Sequence, residues 1–286
     1  MDANGTIRKD GDLFIVEVPW SDSRSKEPGI ETVDTPTGKI CRKVFRRKRI
    51  YLPGEKQLAI DTHLRAHDPL TLGVNGYSSL SDATAVTWGM RCAAMYFNGA
   101  ETFLRSIIGH QIKLFRGPGI CLVHGGGPGI DATTIKVARE LGLPHLGFNC
   151  PEFMIYVPDD EDPVYVAANK LDYGDAFGSS LDILIAANGR AHAYEIDYQT
   201  AFKHHKPVMP VNIIKALSSN GGPPSCVNGK IEDAAAFFEE HFIMIGQVVS
   251  MMNGNDPWQA TVDSGTSALS RFCRTKLSPA RATAVR

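Results

Sequence analysis

A glycine-rich loop is the strongest chemical signal in the sequence. Residues 124–134 read HGGGPGIDATT, between an apolar run and an amphipathic one. Consecutive glycines let main-chain amides approach a ligand without interference from a Cβ atom. A helix that begins directly after them adds unpaired N–H groups and a positive dipole end. The pattern therefore predicts an anion-binding loop, most naturally for a phosphate. A tight connection between a strand and a helix is the alternative interpretation.

The predicted ligand contacts of this loop come from four glycines and three polar residues. They are Gly125, Gly126, Gly127, Gly129, Asp131, Thr133 and Thr134. Asp131 is also suited to cap the following helix, and the two threonines could either donate to a phosphate oxygen or simply lie in the first turn. The lysine of the nucleoside-triphosphate loop is absent, and the spacing does not fit GxGxxG with a later acidic residue.

A second candidate loop follows the apolar run in the segment 181–195, LDILIAANGRAHAYE. Asn188 and Gly189 form a turn signal, and Glu195 falls about one turn into the helix that follows. Ligands of open α/β sheets bind at the carboxyl ends of parallel strands. Glu195 could therefore stabilise or capture an oxocarbenium-like centre, as glycosidic cleavage requires. An exposed glutamate near the start of a helix is the alternative interpretation.

Two further residues of this loop are candidates for ligand contacts. Arg190 could bind a phosphate with two parallel hydrogen bonds. His192 could contact a base or a phosphate, although a histidine in a loop is more often inert.

The elements that must position both loops alternate along residues 70–214. Strands are predicted at 70–75, 120–124, 145–149, 181–187 and 208–212, and helices at 81–115 (broken near Gly99), 132–141 and 191–204. This βαβα order predicts an α/β fold with a Rossmann-like doubly wound parallel sheet flanked by helices. We expect a nucleotide-binding domain over 70–260, with an amphipathic helical stretch at 231–252.

The two ends of the chain are predicted to lie outside that domain. Residues 1–69 form a β-rich N-terminal arm, in which two extended runs around Pro36, Thr37 and Gly38 predict a hairpin. Residues 261–286 are polar and weakly patterned, so we expect a C-terminal tail.

The second run of the hairpin is strongly basic. It carries Lys39, Arg42, Lys43, Arg46, Arg47, Lys48 and Arg49. A solvated strand edge is one interpretation, because edge lysines and arginines discourage further pairing. A basic arm that touches a substrate phosphate is the other. Nucleic acid is a disfavoured partner, since the 30 basic and 31 acidic residues nearly cancel.

Composition excludes several other classes. No apolar run approaches the length of a membrane helix, and the first residues lack the apolar core of a secretory signal. The six cysteines are scattered without a CxxC pair, which excludes zinc-ribbon spacing and argues against a disulfide framework. We expect a cytoplasmic protein with buried free thiols, no membrane partner and no metal.

Residues 70–252 resemble the Lonely Guy group of nucleotide phosphoribohydrolases. Residues 125–130 match the GGGPGIM loop of that group, and Tyr77, Ser78 and Ser79 lie at its first glycine-serine turn. The segment 181–195 aligns with a family segment that ends in PGGxGTxxE. Further matches are Lys206, Pro207, Val208 and Asn212, on the family's KPV…N strand.

The resemblance implies cleavage of the N-glycosidic bond of a nucleoside 5′-monophosphate by a homodimer or higher oligomer, without a metal or cofactor. It makes Glu195 the catalytic glutamate and places Ser78, Ser79, Asn188, Gly189 and His192 in the substrate site. The family's catalytic arginine falls on Tyr173, so Arg190 is the candidate to supply that charge.

The family's PGGxGT pattern is also altered in this chain. Ala187, Asn188, Ala191 and His192 replace its proline, first glycine, last glycine and threonine. A non-catalytic nucleotide-binding sensor or carrier is therefore the alternative function.

Overall fold

The structure is a computed structural model that describes residues 5–64, 70–78, 84–115, 119–189, 199–211, 213 and 257–276. Its strands are Thr6–Asp10 (β1), Leu13–Pro19 (β2), Ile30–Thr35 (β3), Gly38–Phe45 (β4), Arg49–Tyr51 (β5), Leu70–Gly76 (β6), Ile120–His124 (β7), His145–Asn149 (β8), Pro163–Val166 (β9), Ile183–Ala187 (β10) and Val208–Val211 (β11). Its helices are Asp22–Ser25 (α1), Lys56–His63 (α2), Thr84–Phe115 (α3), Ile130–Leu141 (α4), Pro151–Met154 (α5), Lys170–Ser180 (α6), Gln199–Lys203 (α7) and Pro257–Lys276 (α8).

A parallel sheet forms the centre of the molecule, in the order β11-β10-β6-β7-β8-β9-β5. Its inner strands are apolar on both faces, and every residue of β7 and β10 is buried. Such strands need a cover on each side. Helices α3, α4 and α8 pack on one face, and α2, α6 and α7 pack on the other. The predicted Rossmann-like doubly wound α/β fold is confirmed.

The N-terminal segment forms a separate antiparallel sheet in the order β1-β2-β4-β3. The predicted hairpin is present, because Thr35 pairs with Gly38 across the two-residue turn. Residues of β2 and β4, including Val16 and Phe45, pack against Val164 and Val166 of β9. The small sheet therefore covers the face of the large sheet near β9 and β5.

The division predicted at residue 69 does not follow the sheet pairing. Arg49–Tyr51 pairs in parallel with β9 and forms the edge of the large sheet. Helix α2 packs on the same sheet. The α/β unit therefore begins near residue 49, because a three-residue strand carries too little pattern to be assigned before its partner is known.

Two residues of the basic run, Lys43 and Lys48, are neither on a solvated strand edge nor available to a substrate phosphate, because both are buried. Strand β4 lies between β2 and β3, so it is not an edge. The buried Lys43 donates to the carbonyls of Ile155 and Val157, at 3.0 and 2.7 Å, and desolvation lowers its pKa. Lys48 is also buried and forms an ion pair with Asp160. These two ammonium groups join the N-terminal sheet to the segment before β9.

Two predictions about helices are wrong. Helix α3 continues through Gly99 without a break, since this glycine is buried and the packing of α3 outweighs its low helix propensity. The C-terminal tail is in part the helix α8, which packs on α3. Leu269 and Phe272 are buried there, and Gly265 lies so close to Phe103 that an added Cβ would stand 2.7 Å from its ring.

No helix in the described ranges combines the length and apolar character needed to span a bilayer. The amphipathic stretch predicted at 231–252 lies outside those ranges.

Candidate functional site

The order in which strands are added to the parallel sheet reverses between β6 and β10. Strand β6 is followed by β7 on one side, and the later strand β10 lies on its other side. Helices that follow these strands cover opposite faces, so a crevice forms at the carboxyl ends of β6 and β10. Open α/β sheets bind their ligands at such a switch point. Gly76 and Ala187, the last residues of the two strands, are paired there.

A buried tyrosine joins the two strand ends. The hydroxyl of Tyr96 donates to the carbonyl of Ala187 and accepts from the amide of Tyr77 at 3.3 Å. Burial raises its pKa, so the hydroxyl stays protonated. An added Cβ at Gly76 would stand 2.6 Å from that hydroxyl, which explains the glycine. Sequence reasoning missed Tyr96, because an aromatic residue inside an apolar helix gives no signal of a polar contact.

The glycine loop is filled by one of its own side chains. The Gly125 and Gly127 amides donate to the two carboxylate oxygens of Asp131, at 2.9 and 3.0 Å. The amide between them, that of Gly126, donates to Nδ1 of His124 at 3.0 Å. The sequence predicted these three glycines as contacts for a bound ligand, and the structure corrects that prediction, because the chain itself supplies the acceptors of their amides. The loop does bind an anion, but the anion belongs to the chain.

Burial in the glycine loop disfavours the charged form of the Asp131 carboxyl. Burial raises the pKa of its carboxyl to about 6, although the two amide hydrogen bonds act in the opposite direction. The Lonely Guy loop reads GGGPGIM, and Asp131 stands in place of its methionine. That replacement is the sequence signal from which the filled loop could have been recognised.

Helix α4 begins at this loop without a side-chain cap. Its N-cap is Gly129, so Asp131 does not have the capping role. The hydroxyls of Thr133 and Thr134 donate to carbonyls four residues earlier, at 3.1 and 2.8 Å, and both residues are buried. Within the described ranges, the amides of Asp131 and Ala132 find no acceptor. A cavity of about 230 Å³ opens beside Ala132.

Two histidines, His124 and His145, stabilise the glycine loop through a hydrogen bond from the Gly126 amide to His124. His124 Nε2 lies 3.1 Å from His145 Nδ1. On its other side, His145 Nε2 lies 3.6 Å from the carboxylate of Asp162. The same carboxylate accepts a hydrogen bond from Arg139 at 2.7 Å. Because His124 Nδ1 accepts from a main-chain amide, its proton is on Nε2 and points to His145. Desolvation lowers the pKa of both histidines. This neutral pair fixes the loop conformation, and sequence reasoning missed it.

The start of the second loop lies against the end of β6. Asn188 and Gly189 both have a positive φ, of 59° and 137°. An added Cβ at Gly189 would stand 3.6 Å from the carbonyl of Gly76, so the second loop begins against the last residue of β6. Ser78 follows β6 and is half-buried.

Four predicted site residues lie outside the described ranges. They are Ser79, Arg190, His192 and Glu195. The position of the family arginine is described, and it lies in the apolar core. Tyr173 on α6 is buried, with its ring centroid 6.2 Å from those of Phe153 and Phe177.

The strand order and the helices on both faces of the sheet define a Rossmann-like α/β protein. No protein-family model and no curated protein sequence matches the chain.

Solved structures match it at low identity. TM1055 is 19% identical, with 49% of this chain and 72% of that chain covered and a TM-score of 0.35. The Moco carrier protein from Chlamydomonas reinhardtii is 20% identical, with coverage of 60% and 99% and a TM-score of 0.33. DNA processing protein A from Streptococcus pneumoniae is 12% identical, with coverage of 61% and 57% and a TM-score of 0.37.

Proposed function

We propose that the chain binds a nucleoside 5′-monophosphate in the crevice between β6 and β10 and cleaves its N-glycosidic bond. One observation carries the binding half of this proposal. The loop beside the crevice already holds a carboxylate on two convergent amides, so its geometry suits an anion. A phosphate takes that position when the Asp131 side chain withdraws. The amides of Asp131 and Ala132, which find no acceptor in the described part of the chain, add further donors.

The chemical half rests on the resemblance to the Lonely Guy group. Glu195 stabilises or captures C1′ as the bond to the base breaks. A water oxygen then bonds to C1′, which gives ribose 5-phosphate and the free base. Arg190 supplies the positive charge that the buried Tyr173 cannot supply. The protein acts as a homodimer or a higher oligomer.

A non-catalytic nucleotide sensor or carrier is the second candidate. Two observations favour it. An aromatic core residue, Tyr173, occupies the position of the family arginine. Internal partners also satisfy three loop amides, so a bound nucleotide must first displace Asp131.

The two candidates differ in whether base is released. The full chain is incubated with a panel of nucleoside 5′-monophosphates, and released bases are separated by chromatography. Glu195→Gln should abolish release and leave nucleotide binding nearly unchanged, while Glu31→Gln on the exposed face of β3 serves as the control. Binding without release from any monophosphate would refute the hydrolase and leave the sensor. Absence of binding would refute both.

The role of the loop has its own test. Asp131→Ala removes the internal anion and frees two amides, so it should tighten binding of a monophosphate but not of the matching nucleoside. Gly127→Val should weaken binding of the monophosphate far more than of the nucleoside. Gly54→Val is the control, since nothing lies within 4 Å of its added Cβ. Equal effects on both ligands would contradict phosphate binding at this loop.

A further inference from the structure

A cavity of about 520 Å³ opens at the opposite edge of the large sheet. It lies between α2 and α6, at the amino ends of β6 and β10, where Thr71 and Asp182 are part of its wall. The switch-point crevice begins at Gly76 and Ala187, five residues further along each strand, which is roughly 17 Å away. A ligand here would not contact the glycine loop.

Two lysines give this cavity a positive charge. Lys56 is half-buried, and its Nζ donates to the hydroxyl of Ser179 at 2.9 Å. Within the described ranges neither Lys56 nor Lys206 forms an ion pair, and an ammonium group has three N–H donors. The carboxylate of Asp182 also lines the cavity, and it accepts from the amide of Thr71 at 3.0 Å. Among the described lining residues, two ammonium groups against one carboxylate leave a net positive charge.

Burial acts against the charge of Lys56. Desolvation lowers its pKa, and the field of Asp175 opposes that shift only in part. Asp175 itself accepts from Lys203 and His204. A half-buried ammonium group with unused donors is stabilised when an anion enters its cavity.

The remaining walls indicate the shape of that anion. Ile60, Leu64 and Leu181 are buried and form an apolar wall. The hydroxyls of Ser179 and Ser180 also line the cavity. Both donate to the carbonyl of Ala176, so the donors that an anion can use are those of the lysines. Three of the ten described lining residues are apolar, so the cavity offers one apolar patch within a mainly polar lining.

We propose that this cavity is a second binding site, for a small organic anion that carries a carboxylate or a phosphate on an apolar body. Lys56 and Lys206 bind the anionic group, and the apolar wall accepts the body. The site functions independently of the nucleotide crevice.

Calorimetric titration of the full chain tests the proposal with benzoate, phenyl phosphate and the neutral benzyl alcohol. We expect benzoate or phenyl phosphate to bind, with the tighter one identifying the anionic group, and benzyl alcohol to bind far more weakly. Lys56→Met and Lys206→Met should each weaken binding about tenfold, the equivalent of one charge-assisted hydrogen bond. Lys56→Arg should retain much of the affinity.

Two controls separate this site from other causes. Lys26→Met replaces an exposed lysine that pairs with Asp22, and it should leave binding unchanged. Gly127→Val should also leave it unchanged, which separates this site from the proposed nucleotide site. The proposal is wrong if neither anion binds, if both lysine variants bind them as the wild type does, or if benzyl alcohol binds equally well.

Discussion

Replacement of Asp131 by asparagine should change how the stability of the chain depends on pH. The carboxyl is enclosed by the glycine loop, and burial raises its pKa from 3.8 to about 6. The folded chain therefore holds this proton more tightly than the unfolded chain. The stability that the proton contributes is complete below pH 3.8 and is lost as the pH rises through about 6.

The size of the effect follows from the two pKa values. A carboxyl with a pKa of about 6 when folded and 3.8 when unfolded lowers the free energy of unfolding by about 3 kcal/mol at neutral pH, relative to acid. Between these two values the loss is about 1.4 kcal/mol per pH unit. An asparagine does not titrate, so this part of the pH dependence disappears in the variant.

Urea denaturation of the wild type and of Asp131→Asn over a pH series measures the effect. The difference between their free energies of unfolding isolates the carboxyl, because all other titrating groups are shared. Thr134→Val on the same helix is the matched control, since a hydroxyl does not titrate in this range and its difference should be constant. A constant difference for Asp131→Asn as well would show that the loop does not enclose the carboxyl.

Three further substitutions test the packing around the site, each by urea denaturation. Tyr96→Phe removes the hydroxyl that joins the ends of β6 and β10 and should lower the free energy of unfolding by about 1–3 kcal/mol; no loss would contradict that bridge. Lys43→Met leaves two buried carbonyls without their donor and should cost a similar amount, and an unchanged free energy of unfolding would contradict this role of Lys43. Gly265→Val forces a side chain against Phe103 and should cost about 1–3 kcal/mol, whereas Gly54→Ala should have little effect.

The parts of the fold that repeat a pattern could be predicted from the sequence. Strands β7 and β8 were predicted with their observed bounds, because a short buried run between turn signals has few alternative structures. Helix α4 was predicted two residues short at its start, since the glycines hide where the first turn begins. The hairpin at Thr35 and Gly38 followed from its turn residues.

The parts of the fold that depend on contacts between distant residues could not be predicted from the sequence. The pattern of α8 is diluted by small and polar residues such as Gly265 and Ser270, and only the surface of α3 shows that they are buried. Lys43 and Lys48 look like a solvated charge run until the carbonyls and the carboxylate that they contact are known. Long-range contacts of this kind leave no local trace in the sequence.

The same limit applies to the candidate site. Its place at the glycine loop and beside β10 was predicted, because strand–loop–helix order is local information. The internal carboxylate that occupies the loop was not predicted. An aspartate after glycines is equally consistent with a helix cap and with a side chain that accepts hydrogen bonds from the loop amides. Only the distances from Asp131 to Gly125 and Gly127 distinguish the two.

The edge strand β5 has a consequence for how the chain acquires its structure. Its partner is β9, so Arg49 must wait for Pro163 to be synthesised before it can pair. The small antiparallel sheet rests on the same late strand. On a ribosome, the first five of the eleven described strands would thus remain without their support while the central strands are still emerging. Contacts of such long sequence separation form slowly.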